Sequence, residues 1–310
     1  MIGEPKTLTL TVPGSTSNLG SGFDTLGLAL QLYLTVQATV RPGALEIHYS
    51  GTGAETIPSD ASNLVYRSYV QGCRLFNYDP LPVRLEINNE IPLRRGLGSS
   101  GAAIVAGLLL ARELAPPGRS LSGADLIQAG MPLEGHPENI SASLLGGLTV
   151  NCTHDSRVYT LKVPFPHDLA AVALIPDFDI STEAARELLP AQIPLADAVY
   201  NLQRVALWVA ALQQQAYELL RFAARDAIHQ PFRKKLIPGF DEIMEAAYSA
   251  GARAAFLSGS GSTILALVET EKAGMVQQQM EQAAGAHAFS FTSQLINIDT
   301  QGARTHWTPK

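Results

Sequence analysis

The stretch Pro92-Leu-Arg-Arg-Gly-Leu-Gly-Ser-Ser-Gly-Ala-Ala103 gathers three glycines and two serines just where an apolar run begins. Gly96, Gly98 and Gly101 allow the backbone to bend sharply and to approach a ligand closely. A helix starting beside them leaves N–H groups unpaired and partly positive. Together these features make a cradle for an anion, above all a phosphate. A second polar group, Glu134, His136, Glu138 and Asn139, falls within six residues. Its residue types fit either a solvated loop or the edge of a metal and substrate site. Ser258-Gly-Ser-Gly-Ser-Thr263 is a second glycine loop, readable as a flexible hairpin.

Three readings of the first glycine stretch are open. It is a structural turn, or a dinucleotide loop, since Gly96-x-Gly98-x-x-Gly101 fits G-x-G-x-x-G literally, or a nucleoside-triphosphate loop. The dinucleotide fingerprint requires a tight turn from strand to helix, and Pro92 to Arg95 intervene here. No G-x-x-x-x-G-K-[ST] occurs, which excludes the common P-loop families.

The elements that must hold these residues are legible from periodicity. Val83–Ile91 alternates apolar and polar as a half-buried strand, and residues 102–112 are apolar nearly all round, as in a buried helix. Residues 7–12 and 32–40 predict strands, and the Gly- and Ser-rich segment 13–30 between them predicts a loop folded back over something by Leu19 and Phe23. A helix is expected over 63–76 with Asp60 or Ser62 as its cap, and Ser122 with Asp125 forms a capping box for a short helix to Ala129. Pro-Phe-Pro-His-Asp at 164–168 marks a domain boundary. Beyond it the pattern predicts a strand at 169–175, a helix from Ser181 to Pro190, and helices over 195–225. A helix stopped by Gly251, strands at 254–257 and 264–268, a helix at 271–284 and strands within 287–298 complete a split βαβ order.

Composition narrows the classes further. At 310 residues the chain is long enough for two domains, and 46% hydrophobic against 16% charged residues is the balance of an ordered globular protein. Net charge is −6 and no basic face gathers, so nucleic acid is not an expected partner. Two lone cysteines, Cys73 and Cys152, suit a reducing compartment, and no zinc spacing involves them. No apolar run approaches a membrane span and the first residues lack the apolar core of a signal peptide. The expectation is a soluble, cytoplasmic protein with no membrane partner.

Pro92–Ala103 resembles the phosphate-binding loop of the GHMP kinases, a superfamily of small-molecule kinases with the signature Pro-x-x-x-Gly-Leu-Gly-Ser-Ser. Within that superfamily, Asn18-Leu-Gly-Ser-Gly-Phe-Asp24 resembles the first motif of the homoserine kinases, with Gly14 and Ser21 where they carry alanine and proline. Glu134-Gly-His-Pro-Glu-Asn139 resembles their Glu-Gly-His-Pro-Asp-Asn, with Glu138 one carbon longer than the family's Asp. Gly259-Ser-Gly-Ser-Thr263 resembles the third superfamily motif, with Ser262 in place of proline.

The resemblance implies an α+β two-domain fold. Its N-terminal domain, 1–165, is ribosomal-protein-S5-domain-2-like and binds ATP; its C-terminal domain, 166–310, is ferredoxin-like. It implies ATP contacts from Asn63 beside adenine and from Pro92, Arg95, Gly96, Leu97, Gly98, Ser99, Ser100, Gly101 and Ala102. Mg²⁺ would be held by Glu134 with Ser100, or Ser99 in its stead. The acceptor L-homoserine would meet Arg186 and Arg233 through its carboxylate, Asn18 and Asp24 on its amine side, and Asn139 with His136 beside its hydroxyl. A homodimer is also implied. Asn139 cannot take a proton at neutral pH, so the expected chemistry is direct in-line transfer without a dedicated base. The alternatives are a sister kinase acting on mevalonate, shikimate or a sugar, a dinucleotide oxidoreductase, and a silent binding protein of the same fold.

Overall fold

The structure, a computed structural model, describes residues 7–118 and 121–308. The first part of the chain forms β1 (Thr7–Asn18), β2 (Gly22–Val40), β3 (Glu46–Gly51), α1 (Leu64–Leu75), β4 (Val83–Asn89), α2 (Ser99–Leu114), α3 (Gly123–Glu134), α4 (Glu138–Leu145), β5 (Leu148–His154) and β6 (Arg157–Val163). The second part adds β7 (Leu169–Pro176), α5 (Thr182–Glu187), α6 (Leu195–Gln213), α7 (Leu220–Ala223), α8 (Gln230–Arg233), α9 (Phe240–Ser249), β8 (Ala254–Leu257), β9 (Ile264–Glu269), α10 (Ala273–Ala284), β10 (Phe291–Ile296) and β11 (Arg304–Trp307).

Two sheets result. The first has the order β11-β1-β2-β4-β3, with β5 paired to the near end of β2 and β6 to β5. The second has the order β10-β7-β9-β8. Numbered within its own half, that is 4-1-3-2, the order of a split βαβ, ferredoxin-like sheet. The segment 164–168 runs from β6 of the first sheet to β7 of the second, and the chain's last strand returns to pair with β1.

The loop expected over 13–30 is instead the tip of a long hairpin. Residues 12–22 are all buried, so their backbone groups need partners, and pairing of β1 with β2 supplies them. A register shift at Pro13/Gly14 falls at the proline, which has no N–H to give the ladder, and a second falls at Ser17/Asn18 near the tip. The cap of α1 also differs from expectation: Asn63 Oδ1 accepts from Val65 N at 3.0 Å, while Asp60 bonds Ser62. Both sides of the Ser122–Asp125 capping box form, and α3 continues past Ala129 to Glu134.

α2 is the axis of the first half. Ile104, Leu108, Leu109 and Leu110 are all within one percent of full burial, packed among α1, α3, α4 and β1. Each such side chain contributes roughly 1.5–3 kcal/mol of transfer free energy, so the helix is fixed as a rod whose amino end cannot drift. The second core lies between the second sheet and α9 and α10, around Ile243, Val276 and Met280.

Candidate active site

A cleft of about 620 Å³ opens between the two halves, and the amino end of α2 forms one wall. Gly98, the residue before the helix, has φ 73°, and a Cβ there would lie 2.1 Å from Ser15 Oγ. Gly96 has φ 76°, and a Cβ on it would lie 2.0 Å from Ser258 O. Only glycine combines that left-handed backbone with so close an approach.

The carbonyls of this loop are all turned into protein. Arg94 O accepts from Ile180 N, Arg95 O from Thr263 N, Gly96 O from Ser258 Oγ and Leu97 O from Ser15 N. Donors from β1 and from both sides of the second glycine loop thus hold the first from behind. The helix-start amides of Ser99, Ser100 and Gly101 have no acceptor among the described residues. Carbonyls withdrawn and amides presented is the polarity a phosphate requires.

Ser100, rather than Ser99, meets Glu134: its Oγ donates to Glu134 Oε1 at 2.8 Å. Desolvation raises the Glu134 carboxyl above its ordinary 4.5, against the opposing effects of His136 and the Ser100 bond. One hydroxyl and one carboxylate at the phosphate end are hard oxygen donors, few in number. They fit a small divalent cation that takes its other ligands from phosphate and water.

Other residues of the expected nucleotide site stand differently. Arg95 turns out of the cleft, with Nε donating to Pro176 O at 2.8 Å and Nη2 to Asp177 O. Its neighbour Arg94 is the arginine on the cleft wall, 3.5 Å from Asp179. Ala102 is fully buried and its N–H is spent on Gly98 O, so it faces the core rather than a ligand. Leu97 is also buried, and Gly101 packs against Asn139. Pro92 and Asn63 line the cleft, but the Asn63 side chain is consumed by the α1 cap and by Pro58 O.

The opposite end of the cleft is built from charge. Asp24, at φ 51°, receives Arg186 in a two-pronged pair, Nη2 to Oδ1 at 2.8 Å and Nη1 to Oδ2 at 3.1 Å. Asn18 serves as a brace: Oδ1 accepts from Asp24 N and Nδ2 donates to Gly259 O, both at 3.0 Å. Arg233 is 2% exposed and, among the described residues, donates only to neutral acceptors, Ala185 O and Gly259 O, with His229 Nδ1 at 3.4 Å. Burial, and then the charge of Arg186, lower it to about 10, with Asp24, Asp226 and Glu138 opposing. Both guanidinium groups lie over the Phe23 ring, at 5.5 Å for Arg186 and 5.2 Å for Arg233. Phe23 was legible only as an aromatic in a glycine-rich turn; its place beneath two arginines from distant segments was not.

His229 explains how Arg233 is aimed. It is fully buried, and desolvation keeps its imidazole below the ordinary value despite Asp226. A neutral ring can donate from Nε2 to Gly20 O at 2.8 Å and leave Nδ1 to accept from Arg233. Asp226 holds that elbow by accepting from Asn201 Nδ2 and from the amides of Ile228, His229 and Gln230.

Between the two ends stand His136, Glu138 and Asn139. His136 Nδ1 is 2.8 Å from Glu138 Oε1. Desolvation acts to lower the imidazole, but the Glu138 bond and the charges of Glu138, Glu134 and Asp24 outweigh it and raise it. Asn139 accepts from Ser15 Oγ at 3.0 Å and donates to Ser17 Oγ at 3.3 Å.

Two such sheets, with a glycine loop presenting helix-start amides to the cleft between them, make the fold of a GHMP kinase. The models of the GHMP kinase N-terminal and C-terminal domains match residues 63–147 and 208–287. The fold is shared with the L. major mevalonate kinase, at TM-score 0.69 and 13% identity, with 97% of this chain and 98% of that one covered. Nearer relatives narrow the family. A homoserine kinase of Desulfitobacterium hafniense is 42% identical over 94% of this chain and 97% of its own length. One from Nostoc punctiforme is 39% identical over 96% and 98%. The crystal structure of homoserine kinase from Cytophaga hutchinsonii superimposes at TM-score 0.87 with 29% identity, covering 97% of each chain. The chain belongs to the homoserine kinase family.

Proposed function

We propose that this enzyme transfers the γ-phosphoryl group of ATP to the side-chain hydroxyl of L-homoserine, giving O-phospho-L-homoserine on the way to threonine. One observation carries the reading. The phosphate cradle shares a single cleft with an acceptor end holding both guanidinium and carboxylate groups, the charges that a zwitterionic alcohol presents in reverse. A mevalonate or sugar acceptor has no ammonium to match such carboxylates.

Phosphoryl transfer asks a protein chiefly to hold the triphosphate, neutralise its charge and place the hydroxyl in line. The amides of Ser99, Ser100 and Gly101 receive the phosphates, and Pro92, Leu64 and Val65 border the base. Ser100 and Glu134 would hold Mg²⁺, whose charge offsets that of the phosphates when bound. Arg186 and Arg233 take the acceptor's carboxylate, and Asn139, beside His136, borders its hydroxyl. Asn139 has no proton-accepting capacity at neutral pH, which supports direct transfer driven by position and charge. Among the described residues no helix is long and apolar enough to cross a membrane, which accords with an enzyme of the cytoplasm. We extend the family's homodimer to this chain as a proposal.

The test is ADP release with homoserine, mevalonate, shikimate and galactose as acceptors. Homoserine is expected to be the efficient one, and a preference for any other sinks the reading. A pH–rate profile whose essential base disappears on mutating one cleft carboxylate overturns the baseless transfer.

A further inference from the structure

One cation on the cleft wall is held at its root and loose at its tip. Arg94 stands just ahead of Arg95 and Gly96, at φ 53°, in the left-handed region that glycine or asparagine enters at less cost. Its carbonyl accepts from Ile180 N, so its backbone is tied to the second half of the chain. Its side chain is 74% exposed and has a single partner among the described residues, Asp179 Oδ2 at 3.5 Å, the outer limit of a hydrogen bond. Asp179 is itself 52% exposed, and an ion pair between two solvated groups is weak. Arg95 shows the contrast, since Pro176 O and Asp177 O fasten its guanidinium outside the cleft.

The other cations lining the cleft are committed elsewhere. Arg186 is forked on Asp24, Arg233 is bonded to Ala185 O and Gly259 O, and His136 lies against Glu138. Among the described residues, Arg94 is therefore the cationic side chain left for the nucleotide end. Charge is needed there. Helix-start amides offer only partial charge, and one divalent cation cancels about half the charge of a triphosphate.

We propose that Arg94 is a movable phosphate-binding residue: its guanidinium leaves Asp179 and closes on the phosphate chain of the nucleotide. The inference rests on the proposed function, because it names a further ligand for the ATP of that reading. A planar guanidinium gives two parallel N–H donors to phosphate oxygens, a better match than one distant carboxylate oxygen. The strained backbone accounts for the aim, since the turn at residue 94 faces this side chain into the cleft while its neighbour is sent to Pro176. Arg94 thus adds one side chain to an end otherwise built largely of backbone.

The experiment measures Kd for ATP, with Mg²⁺ present, by calorimetry on the full chain. Arg94→Asn keeps a residue that tolerates the left-handed turn and removes the charge. It is expected to weaken ATP by about fivefold to twentyfold, and Arg94→Lys to recover much of that loss. Asp179→Asn is expected to tighten ATP by about twofold to fivefold, because Arg94 loses its competing partner, and to change nothing once Arg94 is already Asn. KM for homoserine is expected to stay level throughout. Wild-type affinity in Arg94→Asn overturns the inference. So does weaker ATP binding in Asp179→Asn, which would make the pair a clasp between the two halves and nothing more. Equal tightening by Asp179→Asn with and without Arg94 overturns the exchange. Should Arg94→Asn fail to fold, Arg94→Gly, unstrained at that φ, takes its place. A wild-type chain that binds no ATP is a different result, since it removes the kinase reading itself.

Discussion

On the proposed function, the two ends of the cleft recognise charge by opposite means. At the nucleotide end the protein contributes backbone: three helix-start amides, with the loop carbonyls pinned away by Ser15, Ile180, Ser258 and Thr263. At the acceptor end it contributes side chains, with Arg186, Arg233, Asp24 and Glu138 gathered from four separate segments. Backbone recognition is indifferent to residue type except where a Cβ cannot fit, so within the cradle the glycines are what cannot change, while Ser100 and Glu134 beside it act through their side chains. Side-chain recognition depends on each group and on what braces it. Substitutions at one end should therefore act on one substrate and spare the other.

The sharpest way to break that separation is Gly96→Val. A branched side chain would meet the Ser258 carbonyl at φ 76°, where L-residues are already strained. The loop must move, and with it the amides. We expect kcat/KM for ATP to fall by roughly 10³-fold or more, with acceptor binding by calorimetry little changed. Equal damage to both substrates would show that the two ends are mechanically one.

Glu134→Gln comes next. The raised carboxyl means that the folded protein binds a proton more tightly than the unfolded chain, so its stabilising share is present below 4.5 and lost as pH rises through the folded value. Above that folded value the ionised Glu134 works against folding. The glutamine keeps an acceptor for Ser100 Oγ and removes the charge. Turnover is expected to drop by on the order of 10²-fold while Tm at pH 7 is unchanged or higher. A lower Tm with near-normal turnover would assign Glu134 to structure and not to the metal.

Arg186→Lys probes the other end more gently. It keeps the positive charge but cannot form the two-pronged bond with Asp24. KM for homoserine is expected to rise about tenfold to thirtyfold with KM for ATP unaltered. A matching rise for ATP would erase the contrast between the ends.

The same contrast explains what could be read from the chain beforehand. The glycine loop was legible because backbone recognition leaves a sequence mark, glycines at fixed spacing before a buried helix. Strands and helices with clean periodicity were legible too. The hairpin tip over 13–30 was not, because its composition is that of a loop and only burial forces it to pair. Arg94 and Arg95 could not be told apart by type; the turn at Arg94, with φ 53°, sends one to the cleft and the other to Pro176. The unpartnered oxygen of Glu138 had no local mark at all, since a lack of donors is a property of the folded surroundings and not of the residue.

The smallest expected effect lies where the two ends meet, at His136. Its imidazole is raised because the bond and charge of Glu138, with Glu134 and Asp24, outweigh desolvation. The folded chain thus holds this proton to higher pH than the unfolded chain does. The pair with Glu138 contributes in full below 6.5 and is lost as pH climbs through the folded value. Other groups also make Tm depend on pH, but those that His136 does not touch are common to wild type and to His136→Asn and cancel in the difference; the coupling to Glu134 is part of what the difference reads. Subtracting the Tm of the variant from that of wild type should give a positive value near pH 6 that shrinks by about 1–3 °C toward pH 9. A difference that is flat, or that grows with pH, would mean that His136 is held neutral and that Glu138 keeps its place without an ionic partner.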